Sequence, residues 1–323
     1  MSQPVHLRAT AVAAAASAEP GRSAAGCVGS GAGASATPAL TRRACALALA
    51  ALATGAAAAS ARSPRLITVG GSLTEAVFAL GAEAQLVGTD TTSLYPAAAQ
   101  ATPKVGYMRQ LSAEGLLALR PDVVLALAGS GPPLVLQQLR SARVQVELIE
   151  RRHEWDDVRR TVQAAGRATG RGAAAQDLLR QLEQEWARVR AQVQAYRGPT
   201  PRALFIMAHG GSPLVAGGQT AAHAMLTLAG ARNVVSGFNG FRPLTAESMA
   251  AAAPDVIVTT TQSLQAVGGA EGFWRRPELA LTPAWQRRHS GASLWHQDAL
   301  ALLGFGPRLA QVLEALHRGL IAA

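Results

Sequence analysis

Two stretches of this chain repeat one another. "LSAEGLLALRPDVVLA" from Leu111 and "LTAESMAAAAPDVIVT" from Leu244 agree at Leu, two Ala, Glu, Pro, Asp and Val, all at one offset of 133 residues. Each copy reads as a short helix, a proline stop and a buried strand. Duplication of a β-α-β unit is the simplest account, and it constrains the chain to two related halves. A fainter echo pairs "ALGAEAQLVG" with "LAGARNVVSG".

The texture around the repeat agrees. From Arg65, "RLITVGG" predicts a buried strand ending in a glycine turn, and "SLTEAVFALGA" a helix with Ser72 as N-cap, Glu75 three residues on and Gly81 as its stop. Strand "QLVGTD", a helix from Ser112 to Leu119, strand "PDVVLALAG", helix "PPLVLQQLRSA" and strand "VQVELIE" follow. This alternation predicts a mostly parallel sheet covered by helices. It is interrupted by "AAAQDLLRQLEQEWARVRAQVQAY", where Leu178, Leu182, Trp186, Val189 and Val193 keep helical spacing and mark one buried stripe. Gly198, Pro199 and Pro201 end that helix, and "RALFIMAHGG" starts a second β-α series. The expected organisation is an N-terminal lobe over 62–170, an interlobe helix over 171–197 and a C-terminal lobe over 198–323, both lobes Rossmann-like.

Residues 1–61 have another character. Ala, Gly and Ser dominate up to Pro38, and "TRRACALALAALATGAAAASA" then supplies a charged start, an apolar run from Ala44 to Ala53 and a small-residue stretch ending at Ala61. That is the layout of a secretory signal, too short for an ordinary membrane span, and it predicts export to the periplasm. Arg42 and Arg43 suit a twin-arginine route as well as the general one. Both cysteines, Cys27 and Cys45, fall in the segment to be removed, so the exported body has no thiol for a disulfide or a metal. Losing Arg8, Arg22, Arg42, Arg43 and Glu19 leaves 26 basic and 19 acidic residues. The basic residues, arginines except for Lys104, are scattered and lack interleaved aromatics, which argues against nucleic acid as a partner.

An enzyme on such a sheet would need a signature the chain lacks. "VGGSLTEA" after the first strand is not G-x-G-x-x-G, and neither a phosphate-binding G-x-x-x-x-G-K-[ST] nor a G-x-S-x-G elbow occurs. The expectation is a binding protein without turnover. His153, His289, His296 and His317 show no metal-type spacing beyond a lone His289 and His296 pair, and His223 reads as helix surface or packing, which disfavours a zinc or manganese carrier.

At the repeat offset Arg109 in "GYMRQL" falls opposite Arg242 in "GFRPL", while Tyr107 falls opposite Gly240. The two loops are equivalent, and if the lobes face each other both border the cleft between them, where ligands prefer to bind. Only one of the loops carries a phenol. On its residues alone Tyr107 is readable as a loop tyrosine hydrogen-bonded at its tip.

The run from Arg65 to about Arg318 resembles the haem-binding periplasmic proteins of bacterial ABC importers, the HmuT-like group. The resemblance lies in "ITVGGSLTEAVFALGA", "DTTSLYPAAAQATPKVGYMRQLSAEG", "PDVVLALAGSGPP", "GSPLVAGGQTAAHAMLTLAGARNVV" and "LTAESMAAAAPDVIV". It implies the class III periplasmic binding protein fold, two α/β lobes on one rigid helix, and a monomer that delivers haem from the cleft to a membrane permease dimer, with an outer-membrane haem receptor system upstream. It also implies that Tyr107 is the axial ligand of haem iron and that Arg109 hydrogen-bonds to it. A free phenol ionises near ~10, and a ferric centre and a guanidinium both favour the phenolate. Within the same resemblance Arg242 is a candidate for a haem propionate, Met108, Met207 and Phe241 for apolar walls, and His209 for a ligand from the other lobe. Tyr95 is the rival phenol. Glu114 and Glu247, one in each repeat unit, are the expected salt-bridge partners of permease arginines; both also suit a helix N-terminus. The relatives that share "PDVV" and "ALGA" keep cobalamin and a ferric siderophore as alternative ligands. A siderophore already satisfies its iron and needs no protein phenolate.

Overall fold

The structure is a computed structural model, and it describes residues 62–208, 213–235, 237–243 and 245–323. The leader over 1–61 and His209 lie outside the described residues.

Four strands precede the long helix: β1 (Leu66–Val69), β2 (Leu86–Thr89), β3 (Val123–Leu127) and β4 (Gln145–Ile149). They form one sheet in the order β2-β1-β3-β4, every pairing parallel. β1 and β3 are buried along their whole length, as expected of apolar strands covered by helices on both faces. The connections carry the helices Gly71–Ala79, Ala113–Ala118 and Pro133–Ser141.

One helix was absent from the sequence reading. Trp155–Thr169 follows β4 and packs on the Gly71–Ala79 helix and on the long helix, Gly172–Ala195, whose 24 residues span about 36 Å at 1.5 Å each. The long helix buries Ala175, Leu179, Leu182 and Val189, so the predicted stripe is displaced: Leu178, Trp186 and Val193 are half-buried. The cause is a partner on each side. Trp186 stacks on Trp155 at 4.9 Å, and the C-terminal helix Leu309–Ile321 lies along the same helix, with Arg188 donating two hydrogen bonds of 3.0 Å to Glu314.

After the long helix come β5 (Arg202–Met207), β6 (Leu214–Ala216), β7 (Arg232–Asn233), β8 (Phe241–Pro243), β9 (Val256–Thr260) and β10 (Leu294–Gln297). The second sheet runs β10-β9-β5-β6-β8, with β7 also on β5. β10, β9, β5 and β7 pair in parallel, while β6 pairs antiparallel with both β5 and β8. Along β5 the side chains alternate: Ala203 and Phe205 join the main core, Leu204 and Ile206 a second core on the other face. The molecule is thus α/β, two lobes with parallel-type sheets joined by one long helix.

The duplication is visible in hydrogen bonds. In the first lobe Arg65 Nε and Nη2 donate to the carbonyls of Arg120 and Leu119 at 3.0 and 2.8 Å; in the second, Arg202 Nε and Nη2 donate to Ala253 and Ala252 at 3.3 and 2.8 Å. The accepting residues are 133 apart, as in the sequence repeat. Arg120 and Ala253 both adopt positive φ, 46° and 43°, and the helices before them are capped by Ser112 and Thr245. Each guanidinium satisfies the last carbonyls of a repeat helix before its strand begins.

The helix after β1 begins differently from its sequence. Its N-cap is Gly70, at φ 126°, and Ser72 lies inside the helix. The terminal N–H groups are satisfied from the next loop instead: Gly70 N donates to Asp90 Oδ1 at 3.0 Å and Gly71 N to Thr92 Oγ1 at 3.1 Å. Glu75 is therefore free of a capping box and takes a distant partner, Arg308.

Candidate ligand-binding site

Tyr107 sits on a loop anchored at both ends. Upstream, Lys104 Nζ donates to Thr89 Oγ1, Ala99 O and Ser93 O at 2.8, 2.9 and 3.2 Å, and Val105 N donates to Thr89 O at 2.9 Å. Burial pushes the Lys104 ammonium below its usual pKa, with Asp90 acting in the opposite sense. Downstream, Gly131 N donates to Met108 O and Leu111 N to Gly131 O, at 2.9 and 3.0 Å. Between the anchors Gly106 takes φ 99°, a conformation that disfavours any residue with a Cβ, and a turn closes from Gln110 N to Tyr107 O at 2.8 Å. Tyr107 is left 41% exposed. A large aromatic held out on a braced turn is unusual for a residue with only a packing role.

The ring faces a cleft of about 720 Å³ formed by both lobes. That volume lies in the roughly 300–1,000 Å³ range of small-molecule sites. Tyr107, Met108 and Arg109 line it from the first lobe, and Met207 and Phe241 from the second. Gly240, the repeat counterpart of Tyr107, lines it too. The duplicated loops therefore meet at one cleft with a phenol on one side and bare backbone on the other. No group of three His, Cys, Asp or Glu able to hold a bare metal ion occurs among the described residues.

Other expected residues stand elsewhere. Arg242 is outside the lining: alternation along β8 turns Phe241 toward the cleft and Arg242 away from it, with its guanidinium 4.6 Å from the Phe238 ring. A propionate role for Arg242 has no support in this geometry. Tyr95 is off the cleft as well, under the Arg308 guanidinium at 3.5 Å, so the rival phenol is engaged in packing. Tyr196 packs edge-on against His317 at 5.7 Å. Glu114 and Glu247 are exposed in the first turns of the equivalent helices Ala113–Ala118 and Ala246–Ala252, and neither makes an ion pair among the described residues.

Two cleft residues escaped sequence reasoning. Arg151 and His153 follow β4 and line the cleft, His153 at φ 60° with its ring tilted on Phe305 at 5.6 Å. Burial, then Arg151, push the His153 imidazole below its ordinary value, against the pull of Asp157. The signal was present: "RRH" stands at the carboxyl end of a parallel strand, the edge at which α/β sheets bind ligands.

Two α/β lobes on a single long helix, with a largely apolar cleft between their duplicated loops, define a two-lobed solute-binding protein. The chain belongs to the periplasmic binding protein family, whose sequence profile matches residues 66–290. A solved structure, the periplasmic heme-binding protein BhuT in complex with two hemes, is 44% identical, with a TM-score of 0.76 over 80% of this chain and 98% of that one. The uncharacterized ABC transporter substrate-binding lipoprotein YvrC of Bacillus subtilis is 25% identical over 199 residues, which cover 61% of this chain and 63% of that protein. The vitamin B12-binding protein of Salmonella typhimurium is 26% identical over 234 residues, 71% of this chain and 85% of that protein.

Proposed function

We propose that this protein captures haem in the interlobe cleft, without turnover, and passes it to an ABC importer. The observation that carries the reading is Tyr107: an exposed phenol on a doubly anchored turn, aimed at a cleft walled by Met108, Met207 and Phe241, in a chain 44% identical to a heme-binding protein. A tyrosinate is hard and anionic and suits ferric iron, and Arg109 on the same wall compensates its charge. The export signal expected over 1–61 places this work in the periplasm, and Glu114 and Glu247 are the contacts for the membrane subunits.

A titration of the purified protein with ferric haem tests the ligand role. The expected result is a charge-transfer band of high-spin ferric phenolate that disappears in Tyr107→Phe; the same spectrum in both proteins overturns the assignment. The vitamin B12-binding relative favours cobalamin as a second reading. Saturable cobalamin binding that Tyr107→Phe leaves unchanged, with no haem binding, supports that one instead.

A further inference from the structure

β4 delivers Arg151 into the cleft, where its side chain is largely removed from water. Its guanidinium makes no hydrogen bond or ion pair with any described residue. The acid whose charge acts on it, Asp157, is already saturated: its oxygens accept the backbone N–H groups of Arg152, His153 and Glu154 and the guanidinium of Arg160. Burial lowers the Arg151 pKa and Arg109 lowers it further, against the pull of Asp157. Arg109 lies within electrostatic reach on the same wall and is likewise unpaired among the described residues.

The rest of the lining supplies no counter-charge. Apart from the three basic residues Arg109, Arg151 and His153, the described lining is neutral, without a single Asp or Glu. A desolvated guanidinium with no partner is unfavourable, and a fork of N–H donors is matched best by a carboxylate held through two hydrogen bonds. The missing partner is thus a property of what fills the cleft. We propose that Arg151 is the residue that binds a carboxylate of the ligand, leaving Arg109 to the phenolate of Tyr107. This rests on the haem reading of the cleft and deepens it: the cleft selects a flat ligand carrying carboxylates over an uncharged one, and the role expected of Arg242 passes to Arg151.

Titrating wild type and Arg151→Gln with ferric protoporphyrin and with its dimethyl ester, which has no free carboxylate, tests this. Wild type should bind the diacid more tightly than the ester, and Arg151→Gln should weaken the diacid by roughly tenfold to a hundredfold, as removal of one charge-pair partner does, while leaving the ester unaffected. Arg151→Lys, which keeps the charge but not the fork, should recover part of the loss, and the ferric phenolate band should persist in all three proteins. Equal affinity of wild type and Arg151→Gln for the diacid overturns the proposal, as does an equal loss for diacid and ester. A wild-type protein that binds neither porphyrin overturns the haem reading itself, and this inference with it.

Discussion

Glu75 and Arg308, 233 residues apart in sequence, form a two-pronged ion pair that ties the first lobe to the C-terminal segment. Arg308 Nε and Nη2 donate to the two carboxylate oxygens at 2.9 and 3.0 Å, and the Arg308 backbone N–H adds a third bond of 3.2 Å. Glu75 is 5% exposed, and the guanidinium is covered by the ring of Tyr95. Burial raises the Glu75 pKa, the bonds and charge of Arg308 lower it, and burial prevails.

Arg308→Ala removes one partner of this pair and should cost about 3 kcal/mol at neutral pH, because a buried carboxylate is left uncompensated. The cost should depend on pH. A carboxyl whose pKa in the folded protein lies above its unfolded value stabilises the fold fully below the unfolded value, and that contribution is lost as pH rises through the folded one. Without Arg308 the Glu75 pKa rises further, so the deficit should shrink from pH 7.5 toward pH 5. Urea unfolding of both proteins across that range measures it; a deficit independent of pH would show that Glu75 is not the group left exposed to the loss.

Gly106→Ala should reduce stability by about 1–2 kcal/mol, the cost of forcing a Cβ into a backbone conformation that L residues avoid. The nearest atom to the new Cβ, Gln110 O at 3.5 Å, leaves room, so the cost is backbone strain rather than a clash. Ligand affinity should fall with it, since Gly106 aims Tyr107. Gly81→Ala, also at positive φ with nothing within 4 Å, serves as the control and should leave affinity unchanged.

His153 should make the protein less stable in mild acid. Its pKa lies below the ordinary value of about 6.5, so stability is fully present above that value and erodes as pH falls through the depressed one, where the unfolded chain binds the proton first. His153→Gln should flatten the stability profile between pH 7 and pH 5. Thermal melts in matched buffers read this directly, and parallel profiles for the two proteins would contradict it.

Reversing the charge at both Glu114 and Glu247 to Lys should abolish haem-dependent growth through the importer while the purified protein keeps its affinity. Both side chains are exposed and neither lines the cleft, so a double variant that also loses haem binding would argue against a docking role.

The fold was legible where the sequence has contrast. β1, β3 and β9 are short runs of branched apolar residues, and the repeat helices carry their caps, Ser112 and Thr245, in the sequence itself. The Trp155–Thr169 helix was missed because much of its buried face is Thr161, Ala164, Ala165 and Gly166, which differ little in polarity from an alanine-rich loop. Its local signs were at its ends: Asp157 three residues after Glu154, whose N–H it accepts at 3.3 Å, and Gly170, which stops the helix at φ 68°. Ser72 and Glu75 imitated a capping box, but Glu75 answers to a residue 233 positions away, which no local pattern reveals. Tyr107 was found through resemblance, whereas Arg151 was reachable from its position at a strand end and was passed over as one arginine among many.

The twin clasps of Arg65 and Arg202 separate scaffold from specificity. Because each seals the root of its own half, the tips beyond can differ without loosening the frame, and here one tip presents a tyrosine where its sister has glycine. With Tyr107 as the proposed iron ligand, the first lobe would hold a disc-shaped cargo by a bond that Gly240, at the equivalent place in the second, cannot make.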